Sequence, residues 1–402
     1  MKQIMFLFIF LFVSIFSFAQ EKISYVNDYV KLDTILFFPE ENGSDFQAVH
    51  CLWKNILVFT NYNQYLKTDS IKVYFYDIQN HKTYIKYLHH PGLNLWMEEN
   101  TGISFSFLAY NTSYICIGLF NQVLVFKKEN NEFIFEKNIK VAKSISYGSF
   151  LDDKTLFIYS LKNNQQPPVS LLTYDIESGK RIKEINPIFQ HPLLSYFQPN
   201  HLIEVKNGEI LFSHRRDYAS IIFNDKLDSI NYIKSQHFDW IRMKDKSIDR
   251  INRNYPKEEA MSIIEEVEKY LPSIHQQVWT YFISQNKVAC IYLSPYKKNE
   301  MPIARIDIWE KIEGKFTLKK EGVIDLLGIR SNNDTISKHS FGLAFLSGHQ
   351  YLFTDNQIIV FRKYASDINP IGLSLSDYQE QHNNYFLKKN PIFVIYIYSH
   401  NF

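Results

Sequence analysis

The chain is poor in the features that usually announce a function. Its three cysteines in 402 residues, Cys51, Cys116 and Cys290, sit inside apolar runs, which excludes a disulfide-stapled scaffold and gives no metal-ligand spacing. Buried free thiols are the expectation, with one disulfide as the alternative in an oxidising compartment. Charge of one sign is equally scarce. The 44 Lys and Arg residues face 42 Asp and Glu, so no field gathers nucleic acid or an anionic membrane surface. Glycine is thin at 13 residues and forms no phosphate-cradling loop, and Gly-x-Ser-x-Gly, CxxC and HExxH are absent too. These absences lower the expectation of an enzyme without removing it, because a site can be assembled from distant loops.

What is present begins with the N-terminus, "MKQIMFLFIFLFVSIFSFAQEK", where Lys2 precedes an apolar run from Ile4 to Phe16 and then Ser17-Phe18-Ala19. Small residues stand at the two positions a signal peptidase reads, so residues 1–19 are expected to be a cleaved signal. The run falls short of the roughly 20 apolar residues of a spanning helix, so no integral membrane segment is expected after cleavage. The mature chain is therefore expected to be periplasmic or secreted.

The chain is rich in aromatics, with 33 Phe, 27 Tyr and five Trp, and they recur in a pattern. An apolar strand ending in an aromatic, a polar turn and a second strand recur at "KVYFYDIQNHKTYIKYL", "VLVFKKENNEFIFEKNI", "LLTYDIESGKRIKEI", "SIIFNDKLDSINYIK", "IDIWEKIEGKFTLKK" and "IIVFRKYASD". The anchoring aromatics Tyr76, Phe126, Tyr174, Phe223, Trp309 and Phe361 are separated by 50, 48, 49, 86 and 52 residues. Two further strands joined by a turn precede each anchor, as in "AVHCLWKNILVFT" and "HLIEVKNGEILFS". A period near fifty made of four short antiparallel strands predicts a repeat array. One such sheet cannot hide both faces, whereas six packed radially around an axis can, so the expected fold is an all-β, six-bladed β-propeller over residues 20–402. Seven blades is the alternative. The last blade's outer strand is open among "IGLSL", the N-terminal "YVKLDTILFF" closing the ring, and "IFVIYIYS".

On these repeats the chain resembles the secreted bacterial six-bladed propellers of the TolB-like and NHL-like kind. The resemblance is architectural. No WD dipeptide, paired-glycine kelch signature or YWTD run is present, so it implies a fold and carries over no functional residue.

The long gap holds a helical insertion at about 240–273. In "PKEEAMSIIEEVEKYLPS", Ala260, Ile263, Ile264, Val267 and Leu271 share one helical face, Glu258 and Glu259 complement the start and Lys269 the end. It lies between blades four and five, on the face carrying the second-to-third strand loops, here called the upper face. There it would cover apolar blade edges or narrow the channel mouth.

Candidate sites gather on the same face. Aligning innermost strands by their turns brings Asp45, His275 and His339 to equivalent positions on neighbouring blades, a donor set for one divalent metal if they converge and solvated rim residues if they do not. No other cofactor is implied. The loop "SHRRDYA" collects His214, Arg215, Arg216, Asp217 and Tyr218; adjacent guanidinium groups can clasp an anion and His214 with Asp217 can move protons, while a plain charged loop explains them equally. Trp96, Trp240, Tyr62, Tyr65, Tyr196 and Tyr296 fall in upper connections, as ligand-stacking rings or half-buried anchors. Trp53, Trp279 and Trp309 fall inside strands and are expected in the core. Asp33-Thr34-Ile35, Asp69-Ser70-Ile71, Asp228-Ser229-Ile230 and Asp334-Thr335-Ile336 are similar to an O-glycosylation pattern of some exported Gram-negative bacterial proteins.

The sum is an exported, non-enzymatic propeller binding a protein or carbohydrate on its upper face, with membership of an envelope assembly open. The alternative is a metal-assisted hydrolase or lyase at the upper mouth of the central channel.

Overall fold

The computed structural model describes residues 24, 28–39, 47–62, 70–90, 105–141, 144–161, 169–187, 203–214, 218–236, 275–295, 304–324, 350–363 and 391–402. The expected signal at 1–19 and the helical insertion at 240–273 lie outside them. Among the described residues there are 24 strands and no α-helix.

The chain opens with β1 (Val30–Pro39) and then lays down four-stranded antiparallel sheets. The first is β2 (Gln47–Trp53), β3 (Ile56–Tyr62), β4 (Ser70–Asp77) and β5 (Lys82–His89). The second is β6 (Phe107–Tyr110), β7 (Tyr114–Gly118), β8 (Gln122–Glu129) and β9 (Glu132–Lys140); a single parallel pairing, His89 with Ile134, joins its outer strand to that of the first. The third is β10 (Ser144–Phe150), β11 (Thr155–Leu161), β12 (Val169–Asp175) and β13 (Arg181–Ile185). The fourth is β14 (Ile203–Lys206), β15 (Glu209–His214), β16 (Ala219–Phe223) and β17 (Ser229–Lys234). The fifth is β18 (Gln276–Ser284), β19 (Lys287–Leu293), β20 (Ala304–Ile312) and β21 (Lys315–Ile324). The sixth takes β22 (Gln350–Phe353), β23 (Gln357–Lys363) and β24 (Pro391–His400), with β1 as its outermost strand.

Why these sheets need one another is visible in β11. Its stretch Leu156 to Tyr159 does not alternate with polar residues because both faces are covered: Leu156 and Ile158 pack on the second sheet, Phe157 and Tyr159 on the fourth. The same division repeats around the molecule. Six apolar clusters each join two sheets: first to second, second to third, third to fourth, fourth to fifth, fifth to sixth, and sixth back to first. The last seam sets Leu57, Phe59, Tyr74 and Tyr76 against Ile359, Ile395 and Ile397. Outermost strands β5 and β13 are covered far less, with Ile85 and Tyr87 of β5 and Ile182 of β13 turned to solvent.

The anchoring aromatics occupy one register. Each sits opposite the second residue of the second strand: Tyr76 on Leu57, Phe126 on Ile115, Tyr174 on Leu156, Phe223 on Ile210 and Trp309 on Val288. All five partners are 0% exposed, so these pairs are the buried cross-strand steps of each sheet. The sixth sheet corrects the sequence reading. Phe361 lies in β23, a second strand, and the residue opposite Ile358 is Tyr398 of β24. The segment "IFVIYIYS" is thus the third strand and "VKLDTILFFP" the fourth, so both ends of the described chain meet in one sheet.

Turn chemistry repeats as well. Asp77, Asp152, Asp175 and Asn224 each turn a side-chain oxygen back to accept backbone N–H groups two to four residues ahead. Glycine is required for space at Gly148 of β10, where a Cβ would sit 2.4 Å from the Phe107 ring that packs across the second seam. The three thiols are unpaired; Cys116 and Cys290 are buried and Cys51 partly so.

Candidate functional site

Innermost strands β2, β10, β14 and β22 all end at the turn to the second strand, and at that end side chains reach across the axis between sheets that are not neighbours. Trp53 of the first sheet meets Phe150 of the third edge-on, ring centroids 6.4 Å apart. Lys206 of the fourth sheet reaches the sixth, its Nζ donating to the Phe353 carbonyl at 3.2 Å. At this lower end the first sheet thus touches the third and the fourth touches the sixth.

A second group of polar side chains stands near the upper end of the seam between the fourth and fifth sheets. The Tyr218 hydroxyl donates to Asp307 Oδ2 at 2.6 Å and accepts from Trp309 Nε1 at 2.8 Å, while the Gly322 N–H donates to Asp307 Oδ1 at 2.7 Å. Asp307 is 0% exposed, so its carboxylate is held by hydrogen bonds in place of water. Gly322 has φ +62°, a left-handed geometry that aims its amide at this carboxylate. Arg305 flanks the knot, donating to Ser294 Oγ at 3.0 Å and the Gly322 carbonyl at 3.2 Å. Burial, then the nearby Cys290 and Asp307, hold the Tyr218 phenol well above its ordinary value. Burial likewise pushes the Cys290 thiol up. A phenol and a thiol so placed exchange no protons near neutral pH, and the knot reads as a fastening between sheets.

Of the residues singled out in the sequence, Tyr218 departs most from expectation. It is 2% exposed and packs in the seam with Tyr292, 5.8 Å away ring to ring, so it faces the core and not a ligand. The physical reason is its place one residue before β16, where the strand's inward face has begun. His275 is also buried, its ring 6.3 Å from that of Tyr292. Asp45 and His339, the other two members of the metal trio, lie outside the described residues, as do Arg215, Arg216, Asp217, Trp96, Trp240, Tyr65, Tyr196 and Tyr296. His214 ends β15, its backbone paired with Ala219, and Tyr62 ends β3 opposite Gln47. Among the described residues no group of three or more His, Cys, Asp or Glu side chains stands close enough to hold a metal ion. Trp279 and Trp309 are in the core, at 4% and 2% exposure, and Trp53 is partly buried.

Sequence reasoning missed Glu204, Lys206 and Asp307. A signal existed for each: two charges at alternate positions of the innermost strand "IEVK", and one acid in the middle of the apolar "ARIDIW". A charge in a strand buried on both faces implies a fixed partner.

No family model and no curated protein matches the chain. Solved structures are similar in shape at low identity. A protein of Bacteroides fragilis NCTC 9343, described by name as exported, matches with TM-score 0.53 at 9% identity, over 95% of this chain and 98% of its own. A member of the DUF4221 family from Bacteroides vulgatus ATCC 8482 gives 0.44 at 10%, over 93% and 99%. The β-propeller domain of the Trilobed protease from Pyrococcus furiosus gives 0.38 at 12%, over 83% and 85%. At such identity the first match speaks to the fold alone. The chain is an all-β propeller that these comparisons place in no functional family, TolB-like and NHL-like ones included.

Proposed function

We propose that this chain is an exported, six-bladed binding propeller that recognises a protein or glycan through its upper face. The observation that carries the reading is the pair of cross-axis contacts at the lower end, Trp53 on Phe150 and Lys206 on Phe353. They leave the opposite end as the face for a ligand. The reading assigns to that face the connections holding Arg215, Arg216, Trp96, Trp240, Tyr65 and Tyr296, whose composition suits stacking and anion contacts. The N-terminal 1–19 segment supports export, to the periplasm or beyond. The described acids and bases near the upper face support binding without turnover, since Tyr218, Asp307 and Arg305 are engaged with one another or with backbone.

The test is binding of the mature chain, residues 20–402, to glycan and peptide arrays, with chromatographic analysis of every bound ligand. Binding is expected with the ligand recovered intact, and weakened at least tenfold by Arg215→Ala with Arg216→Ala or by Trp96→Ala with Trp240→Ala. Ligand cleavage that His275→Ala or a chelator abolishes would overturn the reading in favour of a metal-assisted enzyme.

A further inference from the structure

At the axis the fourth, fifth and sixth sheets are tied by two side chains of β14. Glu204 Oε2 accepts the Phe282 N–H at 2.5 Å, and Lys206 Nζ donates to the carbonyls of Phe353 at 3.2 Å and Phe282 at 3.3 Å. The outer rim of the same lower end is tied by a different device, and that one repeats.

In five sheets the outermost strand carries one extra residue beside the anchoring aromatic. The pairing jumps from Phe126–Phe135 to Val125–Lys137, from Tyr174–Arg181 to Thr173–Lys183 and from Phe223–Ser229 to Ile222–Asn231. It jumps likewise from Trp309–Leu318 to Ile308–Lys320 and from Tyr398–Leu32 to Ile397–Thr34. Such a bulge leaves one residue unpaired and re-aims the side chain beside it. In four of these sheets the re-aimed side chain reaches the next sheet where its third strand gives way to its fourth. Lys137 Nζ donates to the Glu177 carbonyl of the third sheet, and Lys183 Nζ to the Lys226 carbonyl of the fourth while standing 3.0 Å from Asp228 Oδ1. Asn231 Nδ2 donates to the Gly314 carbonyl of the fifth at 3.0 Å. Lys320 Nζ lies 3.9 Å from the centre of the Tyr29 ring, at the point where the Asn401 N–H donates to the Tyr29 carbonyl and joins β24 to β1 in place of a turn. The first sheet has no bulge, and there Lys86, further along β5, donates to Glu132 Oε1 of β9 at 2.7 Å.

The sixth sheet has the bulge without the reach. The re-aimed position falls to Thr34, and among the described residues no side chain of β1 hydrogen-bonds to the turn between β4 and β5. All six seams have an apolar cluster, so what sets the sixth-to-first seam apart at the rim is the missing clamp.

We propose that the bulge is a clamp-aiming device and that the unclamped seam between the sixth and first sheets is the one at which the folded ring opens. The position opposite Thr34 is ready for a clamp: Gln79 follows Tyr76 by three residues, as Glu177 follows Tyr174 and Lys226 follows Phe223.

Thiol labelling of the folded full chain, read by peptide mass spectrometry and normalised to the rate in denaturant, provides the test. Two native thiols report on clamped seams, Cys116 between the second and third sheets and Cys290 between the fourth and fifth. Lys137→Met removes the clamp over the first of these and keeps an apolar stem. Labelling of Cys116 is expected to accelerate about two- to tenfold, the worth of one hydrogen bond, beyond what any change in the urea midpoint explains, with Cys290 unchanged. Ile359→Cys places a thiol in the sixth-to-first seam at a side chain that is 0% exposed. It is expected to label faster than Cys116 and Cys290, and to slow by a similar factor when Thr34→Lys is added. An unchanged Cys116 rate in Lys137→Met would overturn the clamp. An Ile359→Cys thiol as well protected as Cys116, or one indifferent to Thr34→Lys, would overturn the opening seam. Where Ile359→Cys does not fold, Leu57→Cys on the facing sheet reads the same seam.

Discussion

The third and sixth sheets have the same four-stranded order and were built by opposite routes. The third is one continuous passage of chain, β10 to β13, each strand pairing with the next across a short connection. The sixth runs β22, β23, β24 and then β1, pairing Val30 with His400. Its cross-strand step, Ile358 on Tyr398, is the same as Leu156 on Tyr174. The difference teaches that register belongs to the strand pattern, while membership of a sheet belongs to the ring. A ring with an open seam would leave Phe59, Tyr74 and Ile359 in water, and loop closure over hundreds of residues costs only a few kcal/mol more than over tens.

The sharpest way to break this equivalence is to remove β24. Ending the chain after Asn390 deletes Ile395 and Ile397 from the seam with the first sheet and Tyr398 from the seam with the fifth. The expected outcome is loss of cooperative unfolding, followed by circular dichroism against urea. A cooperative transition in the truncated chain would mean that the six sheets do not depend on closure.

Smaller changes compare two seams. Gly148→Ala strikes the apolar seam between the second and third sheets, where the new methyl group collides with Phe107. A loss of about 2 kcal/mol is expected from the urea midpoint, since the ring is enclosed and cannot move aside freely. Tyr218→Phe strikes the polar seam between the fourth and fifth. It removes the donor to Asp307 and the acceptor of Trp309 with almost no change of volume, and about 1–3 kcal/mol is expected. If Tyr218→Phe proves neutral, the knot adds specificity of alignment and not stability. The least effect belongs to the outer strands. Ile182→Ser, at a side chain 60% exposed, should shift stability by under about 0.5 kcal/mol. Reactivity supplies a last check: Cys116 and Cys290 should resist a thiol reagent in the folded chain and titrate fully in denaturant.

Five of the six anchoring aromatics were legible because each lies near the end of a third strand that a short turn joins to the fourth, and a hairpin writes its apolar alternation and its turn residues into one window of sequence. Phe361 misled because it has the same apolar run and the same spacing, yet the chain leaves after β23 and the third strand arrives only at Pro391. Nothing local separates a second strand from a third. Among candidate site residues, Tyr218 read as a loop residue because "HRRDYA" is charged up to Asp217, and one position decides whether the ring joins the core. Trp279 and Trp309 were legible as core for the converse reason, being deep inside apolar runs.

The sequence by itself determined the repeated unit: four strands, their aromatic steps and the Asp and Asn turns, all products of contacts between residues close along the chain. Only the tertiary structure decided which strand closes the last sheet, which charges meet at the axis and which tyrosine is buried. Those depend on where separate sheets bring one another's unpaired edges and faces, and such partners share no window of sequence.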